Sequence, residues 1–422
     1  MGVRWPGDVT SVRAVTRTDH ENLVQVRRAY KFLLRPTAHQ WAAMEACLED
    51  HRQLYNAALE ERREAWQMCK APVSYYRQSI QLPEIREADP GGQGRWSAGS
   101  QQQTLRRLDK AFAAFFRRIR AGEKKPGYPR FKGCGWFDTI EWPAVKNGAR
   151  WDSVPHPAVT RVYLLGIGHI RVHQHRPVQG RVKTITVKRE GGRWYVVLSC
   201  DDVPTKPLPA TGAIVGIDMG VASFLTTSDG THVPNPRPMT ATAARLAEAQ
   251  QSLARKKRGS NRRRKAVRKV AALHANVHRS RLDHVHKTAL ALVRDHDVIV
   301  HEDLRITNMT KRPRPRPVGD GSFEPNGAAR KGGLNRSIND AGWGVFLSVL
   351  AHKAESASRI VLAVNPRHTS QRCAECGYVA AENRVTQAEF HCLACSHEAH
   401  ADVNAAQNIL RAGLALRAAK AA

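Results

Sequence analysis

The 422-residue chain contains no run of about eighteen apolar residues, and its first residues lack the apolar stretch of a signal peptide. A membrane-spanning or secreted protein is therefore not expected, and the cytoplasm is the expected compartment. Negative charge is scarce: 37 Asp and Glu face 67 Lys and Arg, a formal net charge of +30. A compact chain with that excess repels itself, so a polyanionic partner is expected, nucleic acid rather than a membrane surface. Aromatic residues make up only 6 % of the chain. Cysteine is sparse too, and Cys47, Cys69, Cys134 and Cys200 stand alone. Isolated cysteines exclude a secreted disulfide framework.

The other four cysteines are grouped. Cys373 and Cys376 form one Cys-x-x-Cys pair, Cys392 and Cys395 another, with fifteen residues between the pairs. Four thiolates at that spacing can close one structural tetrahedral zinc site. His391 and His397 flank the second pair and are alternative ligands.

Length allows two or three domains. Residues 1–22 are polar and irregular and read as a loose tail. The stretch from Val24 to Leu34 alternates as a strand. Thr37 and Gln40 resemble a capping box, after which Trp41, Met44, Leu48, Tyr55 and Leu59 recur at helical spacing. Residues 86–100 carry loop punctuation. A second helix sets Leu105, Leu108, Phe112, Phe115 and Ile119 on one stripe, with Arg106 and Lys110 on its polar surface. A basic stretch with two aromatics follows, including Tyr128, Arg130, Phe131 and Lys132, and residues 137–200 read as short strands. On periodicity alone the first half is either a β-barrel with a helical insertion or two small domains.

After the 203–211 linker, apolar runs end in acids. Ile214–Ile217 leads to Asp218 and pairs with a partner from Ala222 to Thr227, and Val298–Val300 leads to His301, Glu302 and Asp303. Residues 241–296 form one long helix or two. Residues 311–336, rich in Arg, Pro and Gly, read as mobile. A helix near 340–356 and a strand from Ile360 to Val364 precede the cysteines, and Asp402 opens a final helix. This order fits a ribonuclease H-like fold, in which strands and one helix gather distant acids. Three carboxylates within ~4 Å would repel by roughly 4 kcal/mol per pair at an effective dielectric of 20. Two magnesium ions relieve that repulsion and clamp the oxygens of a phosphodiester. A lone strand-end Asp is more often a turn or cap residue, and the weight lies on the three together. Asp303 is the alternative to Glu302.

These residues resemble the TnpB (OrfB) family of insertion-sequence-encoded, RNA-guided nucleases, which is related to compact type V CRISPR effectors. The resemblance rests on Gly216-Ile217-Asp218-Met219-Gly220, Glu302-Asp303-Leu304 with Asn308-Met309, and Thr369-Ser370-Gln371-Arg372-Cys373. The cysteine pairs and the run from Asp402 to Leu410 complete it, with weaker support from Asp109–Phe112, Phe115-Phe116 and Gly127–Lys132. It implies an α+β multidomain protein: a β-barrel wedge domain (23–36 and 123–210) with a helical recognition lobe inserted at 37–122. A RuvC-like, ribonuclease H-like α/β nuclease (211–366 and 401–422) would follow, holding a zinc ribbon at 367–400. Asp218, Glu302 and Asp402 would be the catalytic, magnesium-binding triad of a bacterial cytoplasmic enzyme. The implied partners are a guide RNA and double-stranded target DNA bearing a short flanking motif. Relatives often carry Asp-Arg just before the last acid, where this chain has His400-Ala401; a local contact to DNA or metal is expected to be missing.

Residues 255–269 hold ten positive charges, usually no more than a solvated face. Within such a nuclease, Arg255, Lys256, Arg262 and Arg263 become candidate contacts to a guide–target duplex, read by backbone shape. Arg106, Lys110, Tyr128, Arg130, Lys132 and Arg372 are the other candidate nucleic-acid contacts; stacking and core packing remain alternatives for Tyr128 and Phe131. Three further readings stand beside a guided nuclease. A guided DNA-binding repressor would lack triad acids, and a strand-transferring transposase would have Glu as its third acid. A plain RNA-binding protein would leave the strand-end acids unexplained.

Overall fold

A computed structural model describes residues 25–143, 147–152, 159–319 and 322–421. The loose tail expected over 1–22 lies outside them. Contacts divide the chain into two compact units, Gln25–Pro204 with Ser252–Ala275, and Thr205–Gln251 with Asn276–Ala422.

The first unit opens with strand β1 (Gln25–Arg35), then helices α1 (Ala38–Cys69), α2 (Tyr75–Ile80), α3 (Leu82–Ala88) and α4 (Ala98–Arg120). The capping box forms as expected: Thr37 accepts from the Gln40 amide, and the Gln40 side chain reaches back to the Thr37 amide. Strands β2 (Thr139–Pro143), β3 (Ala149–Asp152), β4 (Arg161–Leu164), β5 (Gly168–His173), β6 (Arg181–Glu190) and β7 (Arg193–Pro204) follow. They join β1 in one antiparallel seven-stranded sheet of order β2-β6-β7-β1-β5-β4-β3. Because β3 comes back against β6, the sheet nearly closes into a barrel. Phe32, Trp142 and Trp194 fill its interior and Trp96 seals the helical side.

Two expectations change here. The 86–100 loop is shorter, since α3 runs to Ala88 and α4 begins at Ala98; Arg86 reaches the carbonyl of Trp96 and holds the turn between them. The α4 stripe buries Leu105 and Leu108, but Ile119 is 46 % exposed, because the helix outruns its partners.

The second unit begins with β8 (Ile214–Asp218), β9 (Ser223–Thr227) and β10 (His232–Pro234); α5 (Pro238–Ala254) and α6 (Asn261–Asp295) follow in the chain, with residues 252–275 of this stretch belonging to the first unit. Residues 241–296 are thus two helices, parted where Gly259 adopts a positive φ of 83°. Next come β11 (Val298–Glu302), α7 (Ile306–Met309), β12 (Arg316–Pro317) and β13 (Phe323–Glu324). Helices α8 (Ala328–Ala341) and α9 (Trp343–Ser356) and strand β14 (Ile360–Val364) precede β15 (Glu389–His391), β16 (Glu398–His400) and α10 (Ala401–Ala421). The stretch 311–336, expected to be mobile, therefore holds a short hairpin and the first half of a helix; Asn335 ties that helix to the Thr310 carbonyl.

The five-stranded sheet has the order β10-β9-β8-β11-β14. Strands β8, β11 and β14 are parallel, and β9 and β10 antiparallel. Strand β11 has both faces covered, as its unbroken apolar run requires. Val298 and Val300 pack with Ile409 of α10, while Ile299 packs with Val285 of α6 and Phe346 of α9. Gly216 lets α10 press against β8: a Cβ there would stand 2.2 Å from the Ala406 carbonyl oxygen. Among the described residues no helix is long and apolar enough to cross a membrane.

Candidate active site and metal centre

Asp218 ends β8, Glu302 ends β11, and Asp402 lies in the first turn of α10. Since β8 and β11 are parallel neighbours, their last residues emerge at one edge, and α10 starts over that edge because Gly216 admits it so closely. The acids sense one another. Burial, then the charges of Glu302 and Asp402, push the Asp218 carboxyl up to about 7, against smaller opposing effects of Arg384 and the Met219 amide. Burial also raises Glu302, opposed by the Thr369 hydroxyl that donates to its Oε1. Asp303 is exposed, and its amide donates to Val364; Glu302, the other candidate, is the acid that faces Asp218.

Sequence reasoning missed two residues at this edge. The Arg384 guanidinium lies 3.3 Å from Asp402 Oδ1, carried there by the loop between the cysteine pairs, with no sequence signal. Thr369 sits in a quoted motif without an assigned role, and its pairing with Glu302 spans 67 positions. His400 serves as a helix cap, its Nδ1 accepting the Asp402 amide at 3.2 Å at the start of α10. Its ring packs edge-on to His232 with centroids 4.6 Å apart.

The four cysteine sulfurs lie within 4.8 Å of one another, a group that could hold a metal ion. Sγ–Sγ separations are 3.7 Å for Cys373–Cys395 and 3.5 Å for Cys376–Cys392. A disulfide would need about 2.05 Å, whereas a tetrahedron with ~2.3 Å metal–sulfur bonds has edges of about 3.8 Å. The spacing fits a closed four-thiolate site. His391 points instead to Glu398, at 3.2 Å. Two asparagines fasten the knuckle to the helix bearing Asp402. Fully buried Asn404 accepts the Ala374 amide and donates to Arg372, each at 2.8 Å, and Asn408 donates to Arg372 and Thr369. One turn apart on α10, they give the Asp402–Asn408 run its physical sense.

The other singled-out residues lie on several different elements. Arg106 lies over Tyr75, at 5.2 Å, and Lys110 lines a cavity of about 260 Å³ with Arg107 and Glu141. Tyr128 is half exposed and edge-on to Phe112 and Phe115; Phe131 lies under Arg63. Arg130, Arg255, Arg262 and Arg372 are exposed. Lys132 leans over Tyr55, and Lys256 is half-buried. Arg263 turns back to the Leu253 and Lys256 carbonyls, closing the joint between α5 and α6.

The geometry predicts a pH dependence. An unfolded Asp titrates near 3.9, so Asp218 at about 7 binds its proton more tightly in the folded state. Its contribution is fully present below about pH 4 and is lost as pH rises through 7, up to about 4 kcal/mol in all. Glu302, raised as well, acts in the same direction. Ion-free protein should therefore melt lower at pH 8 than at pH 6, and Asp218→Asn should flatten the difference. Calorimetric scans in chelator at both pH values check this.

An α+β chain with a nearly closed antiparallel barrel, a mixed sheet presenting three acids and a four-cysteine knuckle is thereby defined. Residues 185–313 match the OrfB (IS605) family profile described as "Probable transposase", and residues 343–409 the "Cas12f1-like, TNB domain" profile. Residues 26–70 match an OrfB "Helix-turn-helix domain" profile, although here they form a strand and one long helix. The chain is 35 % identical over 395 residues to "Putative RNA-guided DNA endonuclease InsQ" of Escherichia coli (strain K12), covering 93 % of each. It is 34 % identical to a "Putative RNA-guided DNA endonuclease" of Streptomyces pristinaespiralis, covering 93 % of this chain and 91 % of that one. With the "CRISPR-associated endodeoxyribonuclease Cas12f1" of Sulfoacidibacillus thermotolerans it shares 28 % identity, over 51 % of this chain and 50 % of the relative. The chain belongs to the OrfB (TnpB) family.

Proposed function

We propose that the chain is an RNA-guided DNA endonuclease that cuts at Asp218, Glu302 and Asp402. The observation that carries this is the convergence of three acids: Asp218 and Glu302 end parallel neighbouring strands, and Asp402 opens the helix packed against β8. Such an arrangement is costly unless cations hold it. The all-oxygen donor set fits magnesium. When bound there, a pair of divalent ions would supply the Lewis-acid clamp on the attacking and leaving oxygens of a phosphodiester. The protein's part is orientation. Thr369 fixes one oxygen of Glu302, and His400 and the asparagines hold the first turn of α10 so that Asp402 faces the strand ends. Arg384, beside Asp402, offers a positive group to the charge that develops on the phosphate.

The strand order, with β8, β11 and β14 parallel and a β8–β9–β10 antiparallel flank, supports the ribonuclease H-like, RuvC-type reading of 211–366 and 401–422. Residues 367–400 are the ribbon, with zinc held by Cys373, Cys376, Cys392 and Cys395. The barrel segments 23–36 and 123–210 are the wedge and 37–122 the recognition lobe. With a charge of +30, the chain carries a guide RNA and meets double-stranded DNA beside a short flanking motif, base pairing reading the remainder. Protein purified by affinity at low salt should hold one dominant RNA of defined length. Sequencing the bound nucleic acid checks this, and a heterogeneous cellular mixture would count against a guide.

A further inference from the structure

The outer face of the barrel carries three arginines in one register row. Arg35 on β1 stands opposite Arg171 on β5, and Arg171 opposite Arg161 on β4. All three are exposed, while the residues alternating with them, Leu34, Val172 and Val162, point into the core. The row continues on β3 to Asp152, the register neighbour of Arg161, so the central Arg171 has an arginine on each side. Like charges directly opposite one another destabilise a sheet. Beside the row a cavity of about 280 Å³ is lined by Arg35, Arg171, Thr160, His173 and Gln174. That lining suits an anion and offers little to an apolar ligand.

We infer that this row is a phosphate-binding site for successive phosphates of a nucleic-acid strand. Neighbouring strands lie about 4.8 Å apart, so the three stems span about 10 Å across the sheet. Guanidinium groups fanning from that span can hold two phosphates, each in a bidentate grip. The bound anion removes the repulsion that the row otherwise imposes. The site reads no bases, and it positions the strand on the barrel. Cleavage plays no part in the inference, which rests only on the reading that nucleic acid is the partner.

The test uses the full chain, stripped of nucleic acid in high salt, with Arg171→Gln, Arg35→Gln/Arg171→Gln and Arg171→Lys. Affinity is measured against salt for a short single-stranded RNA and for a DNA duplex of the same sequence. Each lost contact should make the slope of log K against log salt shallower, by about 0.7 on a single strand or about 0.9 on duplex DNA. At 0.1 M salt that is a loss of about five- to tenfold per arginine. The arm that changes identifies the strand held there. Arg171→Lys keeps the charge and should keep the slope. Arg171→Gln should also melt about 1–3 °C higher than wild type when nucleic acid is absent, since it relieves repulsion on both sides. An arginine with a purely structural role would instead lower the melting temperature. Unchanged slopes in both arms, beside a wild type that binds normally, overturn the site alone. A stripped wild type that binds neither probe overturns the nucleic-acid reading beneath it.

Discussion

Asp218→Ala, Glu302→Gln and Asp402→Ala are each expected to lower target-DNA cleavage on the order of 10³-fold or more, with RNA binding unchanged. On the proposed reading each substitution removes one oxygen-bearing metal ligand from a site where the three acids act together, and none replaces a basic residue. The acids need not contribute equally. Asp218 receives the charge of both others, whereas Asp402 already has Arg384 at 3.3 Å. Asp218→Ala also removes a carboxylate held in an unfavourable setting, so ion-free protein at pH 8 should become more stable as it becomes inactive. That opposition separates loss of a ligand from loss of fold. Cleavage and gel-shift assays on the same preparations, with thermal melts, read both. Full cutting by the Asp402 variant would remove that residue from the triad.

Cys376→Ser should be the most damaging substitution for stability. Fifteen residues between the cysteine pairs cannot bury a core of their own, and structural zinc in small modules contributes about 10–16 kcal/mol to folding. The fitting sulfur spacing, 3.5 Å between Cys376 and Cys392, would be lost with the metal. Zinc content should fall from one ion per chain toward none. Because the loop carries Arg384, and the first cysteine pair bonds Asn404 through Ala374, cutting should fall together with the ribbon's order. Elemental analysis and limited proteolysis over 367–400 measure these effects, and normal zinc in the variant would contradict the ligand set.

Much of the second unit was legible in the amino-acid order. Its strands β8 and β11 are apolar runs, as strands covered on both faces must be, and both end in the acids; the apolar run of β14 lies at the sheet edge, with Ile360 exposed. The cysteines announced themselves by spacing. What stayed hidden depends on distant pairing. Arg384 meets Asp402 only because the ribbon folds back over α10, and the Arg35–Arg171 register joins residues from strands far apart in sequence. Composition gave no sign of the short hairpin within 311–336 or of the helix that follows, which Asn335 ties to Thr310 by one long-range bond. The basic run at 255–269 read as one surface, yet Arg263 belongs to the joint between two helices.

Guided cutting is tested most sharply by magnesium-dependent cleavage of plasmid DNA with protein carrying its own co-purified RNA. The variable end of that RNA is then replaced, and the plasmid is changed to match. Cutting should move to the new matching sequence, only beside the short flanking motif, and should disappear in the Asp402→Ala protein. Cutting that stays where it was, or that proceeds equally without RNA, would contradict an RNA-guided nuclease.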